Sequence, residues 1–180
     1  MTAVASKLEV VTGAVVFTDI VGFTEFTALE GDANALALLQ VQERIVAAAL
    51  PPGARVVKEM GDGLLLWFPD ACEAIVTSLA LQAAFEAEAN ESMLPLWVRM
   101  GAHWGQQTRR REDIVGHDVN IASRVAAVAG PGELLVSEPT IARAAAYLPA
   151  GYHVEELGPV VMKGIPEPIR LFRVERERGA

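Results

Sequence analysis

Short apolar runs alternate along the chain with longer segments in which apolar positions recur every three or four residues. Residues 13–19 (GAVVFTD) form an almost wholly apolar run rich in valine, which is typical of a strand covered on both faces. Residues 32–50 carry a helical apolar stripe, and Pro51, Pro52 and Gly53 terminate it. The pattern predicts a central strand followed by a long helix.

The next two apolar runs predict a hairpin. Residues 55–60 and 63–68 are rich in valine and leucine, and they flank Gly61 and Asp62. A glycine and an aspartate between two such runs are typical of a tight turn, so we expect two antiparallel strands.

A second long helix should follow the hairpin. Asp70 and Glu73 form a capping box at its start, and apolar positions on one face extend it to about Ala89. The remaining predicted elements are a strand at 96–105, a helix at 119–129, a strand at 133–137, a small helix between Pro139 and Tyr147, and a strand at 169–174. This order predicts an α+β fold with a ferredoxin-like core, in which helices pack on one face of a mainly antiparallel sheet.

Length and charge limit the partners and the location. The chain has 180 residues and a formal net charge of −8, which predicts one domain and argues against a protein that neutralises many phosphates of a nucleic acid. No apolar run is long enough to cross a membrane, and the first eleven residues lack the apolar stretch of a secretory signal. We therefore expect a cytoplasmic protein that binds neither nucleic acid nor membrane.

The first candidate for chemistry lies where the central strand ends. Asp19 closes that strand, and Gly22, Phe23 and Thr24 begin a helix whose free amides could bind an anion beside the carboxylate. Taken alone, Asp19 is better explained as a simple helix cap.

Asp62 strengthens that candidate. In a ferredoxin-like sheet the central hairpin runs beside the first strand, so the turn that carries Asp62 can approach Asp19. Two adjacent carboxylates form a hard oxygen site suited to Mg²⁺ or Mn²⁺, with phosphate oxygens as further ligands. Taken alone, Asp62 is a common turn residue.

Asn120 and Arg124 are four residues apart on a predicted helix, so their side chains point the same way. A solvated helix face is the alternative interpretation, and spacing alone does not decide between them. His103, His117 and His153 lack the spacing of a zinc site, so we assign them no metal.

Together these segments resemble the class III nucleotide cyclase catalytic domain, which makes cyclic nucleotides from nucleoside triphosphates. The resemblance covers a core of about 13–174 within a single domain of 1–180, and five separated motifs agree in order and spacing. These motifs are VVFTDIVGFT (15–24), KEMGDG (58–63), VRMGAHWG (98–105), DIVGHDVNIASR (113–124) and MKG (162–164).

The resemblance implies an adenylate cyclase that converts ATP to cyclic AMP and pyrophosphate with two divalent cations, Mg²⁺ or Mn²⁺. The implied roles are metal ligation by Asp19, Asp62 and the Ile20 carbonyl, base recognition by Lys58 and Asp113, ribose orientation by Asn120, transition-state stabilisation by Arg124, and phosphate binding by Arg99 and Lys163.

The base-recognition residues favour adenine. Lys58 only donates hydrogen bonds and ionised Asp113 only accepts them, which matches the acceptor at N1 and the amine of adenine. Guanine reverses that order. Two alternatives remain open: a guanylate or dual-specificity cyclase, and a nucleotide-sensing module that binds without turnover.

The resemblance also implies a homodimer with two shared active sites, because the chain carries both sets of residues that the family draws from two domains. One segment departs from the family. Only seven residues, 106–112, separate Gly105 from Asp113, where many relatives have a longer arm that contacts the partner. Arg109, Arg110 and Arg111 within it are either a remnant of that contact or a solvated hairpin edge.

Overall fold

The valine-rich run becomes an inner strand of an eight-stranded sheet in the computed structural model, which describes residues 9–177. The ends of the predicted domain, residues 1–8 and 178–180, lie outside the described residues, and so does most of the segment considered for a secretory signal. In chain order the elements are β1 (Glu9–Ile20), α1 (Phe23–Glu30), α2 (Asp32–Ala49), β2 (Arg55–Met60), β3 (Gly63–Phe68), α3 (Ala71–Ser92), β4 (Val98–Arg110), β5 (Asp113–Val115), α4 (His117–Val128), β6 (Leu134–Ser137), α5 (Glu138–Ala144), β7 (Tyr152–Val160) and β8 (Ile169–Arg176).

The sheet has the strand order β2-β3-β1-β4-β6-β8-β7, and β5 pairs with β4. Its first four strands have the ferredoxin-like order, and every pairing except the parallel β4–β6 pair is antiparallel. The predicted α+β fold with a mainly antiparallel sheet is therefore confirmed.

Helices cover both faces of the sheet, so the expectation of a single helical face is wrong. Side chains alternate along a strand between its two faces. Val16 and Ile20 of β1 pack with α2, α3 and α5, whereas Val15 and Phe17 pack with α4. A helical stripe predicts that a helix has a buried side, but it does not specify which face of the sheet that side covers.

The strands missing from the prediction lie at exposed margins. β7 forms one edge of the sheet and exposes most of its side chains, and β5 is only three residues long. β4 also extends five residues beyond the predicted end and forms a hairpin with β5. Hydrophobic alternation is weak in such segments because they bury little apolar surface.

The described residues include no helix that is both long enough and apolar enough to cross a membrane.

Candidate active site

Strand register brings the two predicted metal ligands together at one corner of the sheet. Asp19, near the end of β1, lies opposite Gly63 of β3 and Arg99 of β4. A Cβ atom at Gly63 would lie 2.1 Å from the carbonyl oxygen of Thr18, so only glycine permits this approach of β3 to β1. Asp62 precedes that glycine in the hairpin turn and is thereby held beside Asp19. We call Asp19, Asp62 and Arg99 the aspartate corner.

A buried polar contact supports the aspartate corner from the opposite face. The Thr18 hydroxyl accepts hydrogen bonds from the Leu64 amide at 3.0 Å and from the Gln42 side chain of α2 at 3.2 Å. Thr18 is 2 % exposed and Gln42 is 1 % exposed. These bonds join α2, β1 and β3 directly behind the carboxylates. The sequence offered one signal for this contact, a glutamine on the apolar stripe of α2.

The aspartate corner carries a net negative charge. Partial burial and the charge of Asp19 raise the pKa of Asp62, against the lowering effects of a backbone hydrogen bond and of Arg99. Arg99 donates from Nε to Asp19 Oδ2 at 2.6 Å and from a terminal nitrogen to the Ala127 carbonyl at 3.2 Å. Two carboxylates sharing one arginine fit a hard divalent cation, whose charge would remove the repulsion between them.

The turn after β1 leaves helix amides beside the aspartate corner. Gly22 precedes α1 with a φ of 78°, and no side chain caps that helix. The alternative in which Asp19 is a helix cap is therefore wrong. Phe23 and Thr24 form the first turn of α1, and the Ile20 side chain is buried in the core. The Val21 amide donates to the Trp97 carbonyl at 2.8 Å, which ties this turn to the segment before β4.

The two predicted base-recognition residues form an ion pair. Lys58 Nζ lies 2.8 Å from Asp113 Oδ2, and both side chains are about a third exposed. A β-bulge between Val56 and Lys58 places Lys58, rather than Val57, opposite Leu65 of β3. Because Leu65 packs on the α4 side of the sheet, the bulge turns the lysine toward that side.

Hydrogen bonds hold Asp113 and its neighbour in place. Burial raises the pKa of Asp113, but hydrogen bonds from Lys58 and the Ile114 amide, with the charges of Lys58 and Arg110, lower it more, so the net pKa is below the usual value. Arg55 of β2 donates to the Glu112 carbonyl at 3.0 Å. We call Arg55, Lys58, Glu112 and Asp113 the base edge.

Among the described residues, the side chains of Asn120, Arg124 and Lys163 form no hydrogen bond or ion pair with either of these groups. Asn120 and Arg124 lie on the exposed side of α4, and their side chains form no hydrogen bond or ion pair within residues 9–177. Lys163 is exposed in the loop between β7 and β8. Arg109 pairs with Glu9 of β1, whereas Arg110 and Arg111 are exposed at the tip of the β4–β5 hairpin, a position compatible with both a solvated edge and a contact with a partner.

Comparison with known families decides which class of protein carries this arrangement. A family model for the adenylate and guanylate cyclase catalytic domain matches residues 5–176. The chain belongs to this family. The aspartate corner and the base edge are therefore parts of a cyclase catalytic domain, and the resemblance inferred from the motifs is confirmed.

Relatives of this cyclase domain include bacterial adenylate cyclases. The pH-sensitive adenylate cyclase MT1302 of Mycobacterium tuberculosis is 32 % identical over 167 residues, which are 90 % of this chain and 40 % of that protein. An adenylate cyclase of Streptomyces coelicolor is 34 % identical over 124 residues, which are 68 % of this chain and 32 % of that protein. The chain thus spans less than half the length of these relatives.

Solved structures agree with the fold. The adenylyl cyclase CyaB of P. aeruginosa superposes with a TM-score of 0.85 at 24 % identity, covering 96 % of this chain and 97 % of that one. The guanylate cyclase domain of RhGC from Catenaria anguillulae, in complex with GTP, superposes with a TM-score of 0.75 at 19 % identity and covers 93 % and 97 % of the two chains. Both adenylate and guanylate cyclases thus share this fold, so the fold does not choose the base.

Proposed function

We propose that this cyclase domain is an adenylate cyclase that converts ATP to 3′,5′-cyclic AMP and pyrophosphate. It would act as a single domain in the cytoplasm, where ATP is supplied. The observation that carries the choice of ATP is the ion pair between Lys58 and Asp113. The pair presents one donor and one acceptor side by side, and adenine offers the complementary acceptor and donor.

Guanine is disfavoured for the same reason. Its N1 donor would face the ammonium group of Lys58, and its O6 acceptor would face the carboxylate of Asp113. Buried polar groups left without partners cost more than a missing apolar contact, so a polar pair of this kind discriminates well between the two bases.

The aspartate corner would hold the divalent cations through Asp19, Asp62 and the Ile20 carbonyl. When bound, Mg²⁺ or Mn²⁺ lowers the pKa of the ribose 3′-hydroxyl and offsets the negative charge of the triphosphate. The strand pairing that fixes Asp19 opposite Gly63 keeps both carboxylates oriented before substrate arrives. The amides of Gly22, Phe23 and Thr24 would then face phosphate oxygens beside the same corner.

Cationic side chains would bind the triphosphate and the transition state. Arg99 and Lys163 would contact the β- and γ-phosphates, with Arg99 exchanging part of its contact with Asp19 for a phosphate oxygen. Negative charge grows on the α-phosphoryl oxygens as O3′ bonds to phosphorus and the bond to pyrophosphate breaks. Arg124 would stabilise that charge with its planar guanidinium, and Asn120 would orient the ribose.

The exposure of Asn120 and Arg124 supports a homodimer with two shared active sites. Both point away from their own sheet and have no side-chain partner among the described residues. A two-fold axis would place each pair opposite the aspartate corner of the other protomer, so that one dimer contains two equivalent sites.

The first experiment measures product formation from ATP and from GTP, each with Mg²⁺ and with Mn²⁺. We expect cyclic AMP and pyrophosphate in equal amounts, with a clear preference for ATP. A preference for GTP would assign a guanylate cyclase. ATP binding without product under either metal would replace the enzyme with a nucleotide-sensing module.

A second experiment tests the shared sites. Asp62→Ala and Arg124→Ala should each be inactive alone, because each disables both sites of its homodimer. In an equal mixture with random exchange, half of the dimers are mixed and carry one intact site, so activity should return to about a quarter of the unmodified level. No recovery after confirmed mixing would contradict the shared-site arrangement.

A further inference from the structure

His103 is a buried titratable side chain with no role in the chemistry proposed above. It lies on β4, on the side of the sheet that α4 covers, and is 5 % exposed. Its Nδ1 atom is 2.7 Å from the Ser137 hydroxyl, and its Nε2 atom is 3.5 Å from Asp118 Oδ1. The other carboxylate oxygen of Asp118 accepts a hydrogen bond from the Gln106 amide at 2.6 Å. Asp118 therefore joins the first turn of α4 to two positions on β4.

The backbone of β4 leaves space for this carboxylate. A Cβ atom at Gly105 would lie 1.9 Å from Asp118 Oδ2, so a side chain at residue 105 would displace it. The other end of α4 is fixed by a different close approach, since a Cβ atom at Gly101 would lie 2.0 Å from the Ala126 amide nitrogen. The helix is thus attached to one strand at both ends, by a side chain at the start and by backbone packing near the end.

The hydroxyl groups behind His103 complete a satisfied network. Ser137 Oγ is 3.0 Å from Thr140 Oγ1, and Thr140 accepts a hydrogen bond from the Trp104 amide at 2.9 Å. With a neutral His103 that carries its proton on Nε2, Ser137 donates to Nδ1 and the imidazole donates toward Asp118. The network fixes the orientation of the ring, and the ring in turn faces the carboxylate.

We propose that His103 and Asp118 are positioning residues that fix the first turn of α4 and thereby place Asn120 and Arg124 for catalysis. Asn120 lies two residues after Asp118, and Arg124 lies one further turn along the helix. Neither side chain forms a hydrogen bond or ion pair within residues 9–177, so the position of the helix sets the position of both. This inference rests on the proposed function.

The expected effect is on turnover rather than on substrate binding. A displacement of about 1 Å in a catalytic group can cost about a hundredfold in rate. Asp118→Ala should therefore lower kcat by about tenfold or more and change KM by less than about threefold. Asp118→Asn should recover most of that loss, because its amide oxygen can still accept from the Gln106 amide. The kcat of His103→Gln should lie between the values for Asp118→Ala and Asp118→Asn.

The experiment compares these three variants with Asp32→Ala. Asp32 is an exposed carboxylate in the first turn of α2, so it is matched to Asp118 in residue type and helix position. The readouts are kcat, KM, Tm, and amide hydrogen exchange in the first turn of α4, including the Asn120 amide that bonds to the Gly116 carbonyl. We expect faster exchange at that turn in Asp118→Ala than in the unmodified protein. In Asp32→Ala the exchange rate at that turn should be unchanged.

Two results would overturn the inference. One is unchanged kcat and unchanged exchange in Asp118→Ala. The other is a loss of kcat in Asp118→Ala that Asp118→Asn does not relieve. If Asp118→Ala does not fold, the kcat, KM, Tm and hydrogen exchange of Asp118→Asn and His103→Gln test the inference instead. An unmodified protein without cyclase activity would refute the proposed function instead, and the exchange measurement would still test the attachment of α4.

Discussion

The aspartate corner and the base edge lie in the same sheet, but different kinds of contact hold each of them together. Backbone pairing positions Asp19 and Asp62, because β1 lies between β3 and β4 and Gly63 closes the gap between β3 and β1. At the base edge, side-chain contacts join β2 and β5, two strands that do not pair with each other, through the ion pair of Lys58 with Asp113 and the bond from Arg55 to the Glu112 carbonyl. Backbone pairing thus links the strands of the first region, and side chains link the strands of the second.

This difference matches the proposed tasks of the two regions. Metal-assisted phosphoryl chemistry depends on a carboxylate geometry that cannot vary, so a framework of paired strands suits it. Base recognition needs only one donor and one acceptor at a partly exposed edge, and a few substitutions there could change the preferred base without disturbing the core. Substitutions in each region separate these two kinds of control.

The largest expected effect is at the aspartate corner. Asp62→Asn keeps the shape of the side chain but removes a metal ligand, so kcat/KM should fall about a thousandfold or more, given that a bound cation supplies several kcal/mol. Tm without added metal should stay the same or rise, because the change removes repulsion from Asp19. Cyclic AMP formation and thermal unfolding measure the two outcomes. Retention of more than a tenth of the activity would exclude Asp62 as a ligand.

Gly63→Ala tests the backbone framework of the same corner. The new methyl group would meet the Thr18 carbonyl oxygen at 2.1 Å, so we expect a loss of about 1–3 kcal/mol in unfolding free energy and a Tm lower by about 5 °C, together with lower kcat. Gly130→Ala is the matched control, since its nearest atom would be Glu133 Oε2 at an ordinary 3.5 Å. Equal Tm values for the two variants would show that the register tolerates a side chain.

The elements with strong apolar patterns could be predicted from the sequence. The hairpin strands at 55–60 and 63–68 have the predicted bounds, and α2 ends one residue before the prediction. These segments bury one side or both, so their apolar patterns directly indicate a strand or a helix. β7 could not be predicted in this way, because an exposed edge strand buries too little apolar surface to leave a period in the sequence.

The residues of the site could be predicted from the sequence better than the contacts between them. The five motifs indicated the residues, and the ferredoxin-like topology placed Asp62 beside Asp19. The contacts of Thr18 with Gln42 and of His103 with Asp118 join segments that are distant in the chain. Spacing within one element says nothing about such pairs, since they depend on which face each element turns to its neighbour.

Lys58→Glu tests whether the base edge selects the nucleotide. It replaces a donor with an acceptor and places like charges beside Asp113, so kcat/KM for ATP should fall about tenfold or more, the scale of one charge-assisted hydrogen bond. The ratio of ATP to GTP use should shift toward GTP. Lys58→Met removes the donor without adding an acceptor, so it should lower ATP use with no gain for GTP. An unchanged ratio in Lys58→Glu would mean that other residues read the base.

A smaller effect should appear in the pH dependence of stability through His103. Burial lowers the pKa of His103 below its usual value, while the facing Asp118 raises it and the nearby His117 lowers it further. The unfolded chain therefore binds a proton more readily than the folded one, and stability should decline as pH falls below about 6.5. The other facing groups are the hydroxyls of Ser137 and Thr140, which do not titrate. In His103→Gln, Tm measured from pH 7.5 to 5.5 should decline less steeply, and equal slopes would contradict this assignment.

The smallest effect should come from Arg55, which supports the base edge from outside. Arg55→Ala removes one exposed hydrogen bond to the Glu112 carbonyl, a contact on the scale of about 1 kcal/mol, so kcat/KM for ATP should fall about fivefold. The loss should lie mainly in KM, because in the proposed function the neighbouring Asp113 would contact the base rather than the reacting phosphate. Arg44→Ala is the control, since it removes an exposed arginine whose partner is Glu88 of α3, away from the base edge. Equal kinetics in the two variants would show that the ion pair of Lys58 and Asp113 orients itself without this support, and the base edge would then be more rigid than its side-chain contacts suggest.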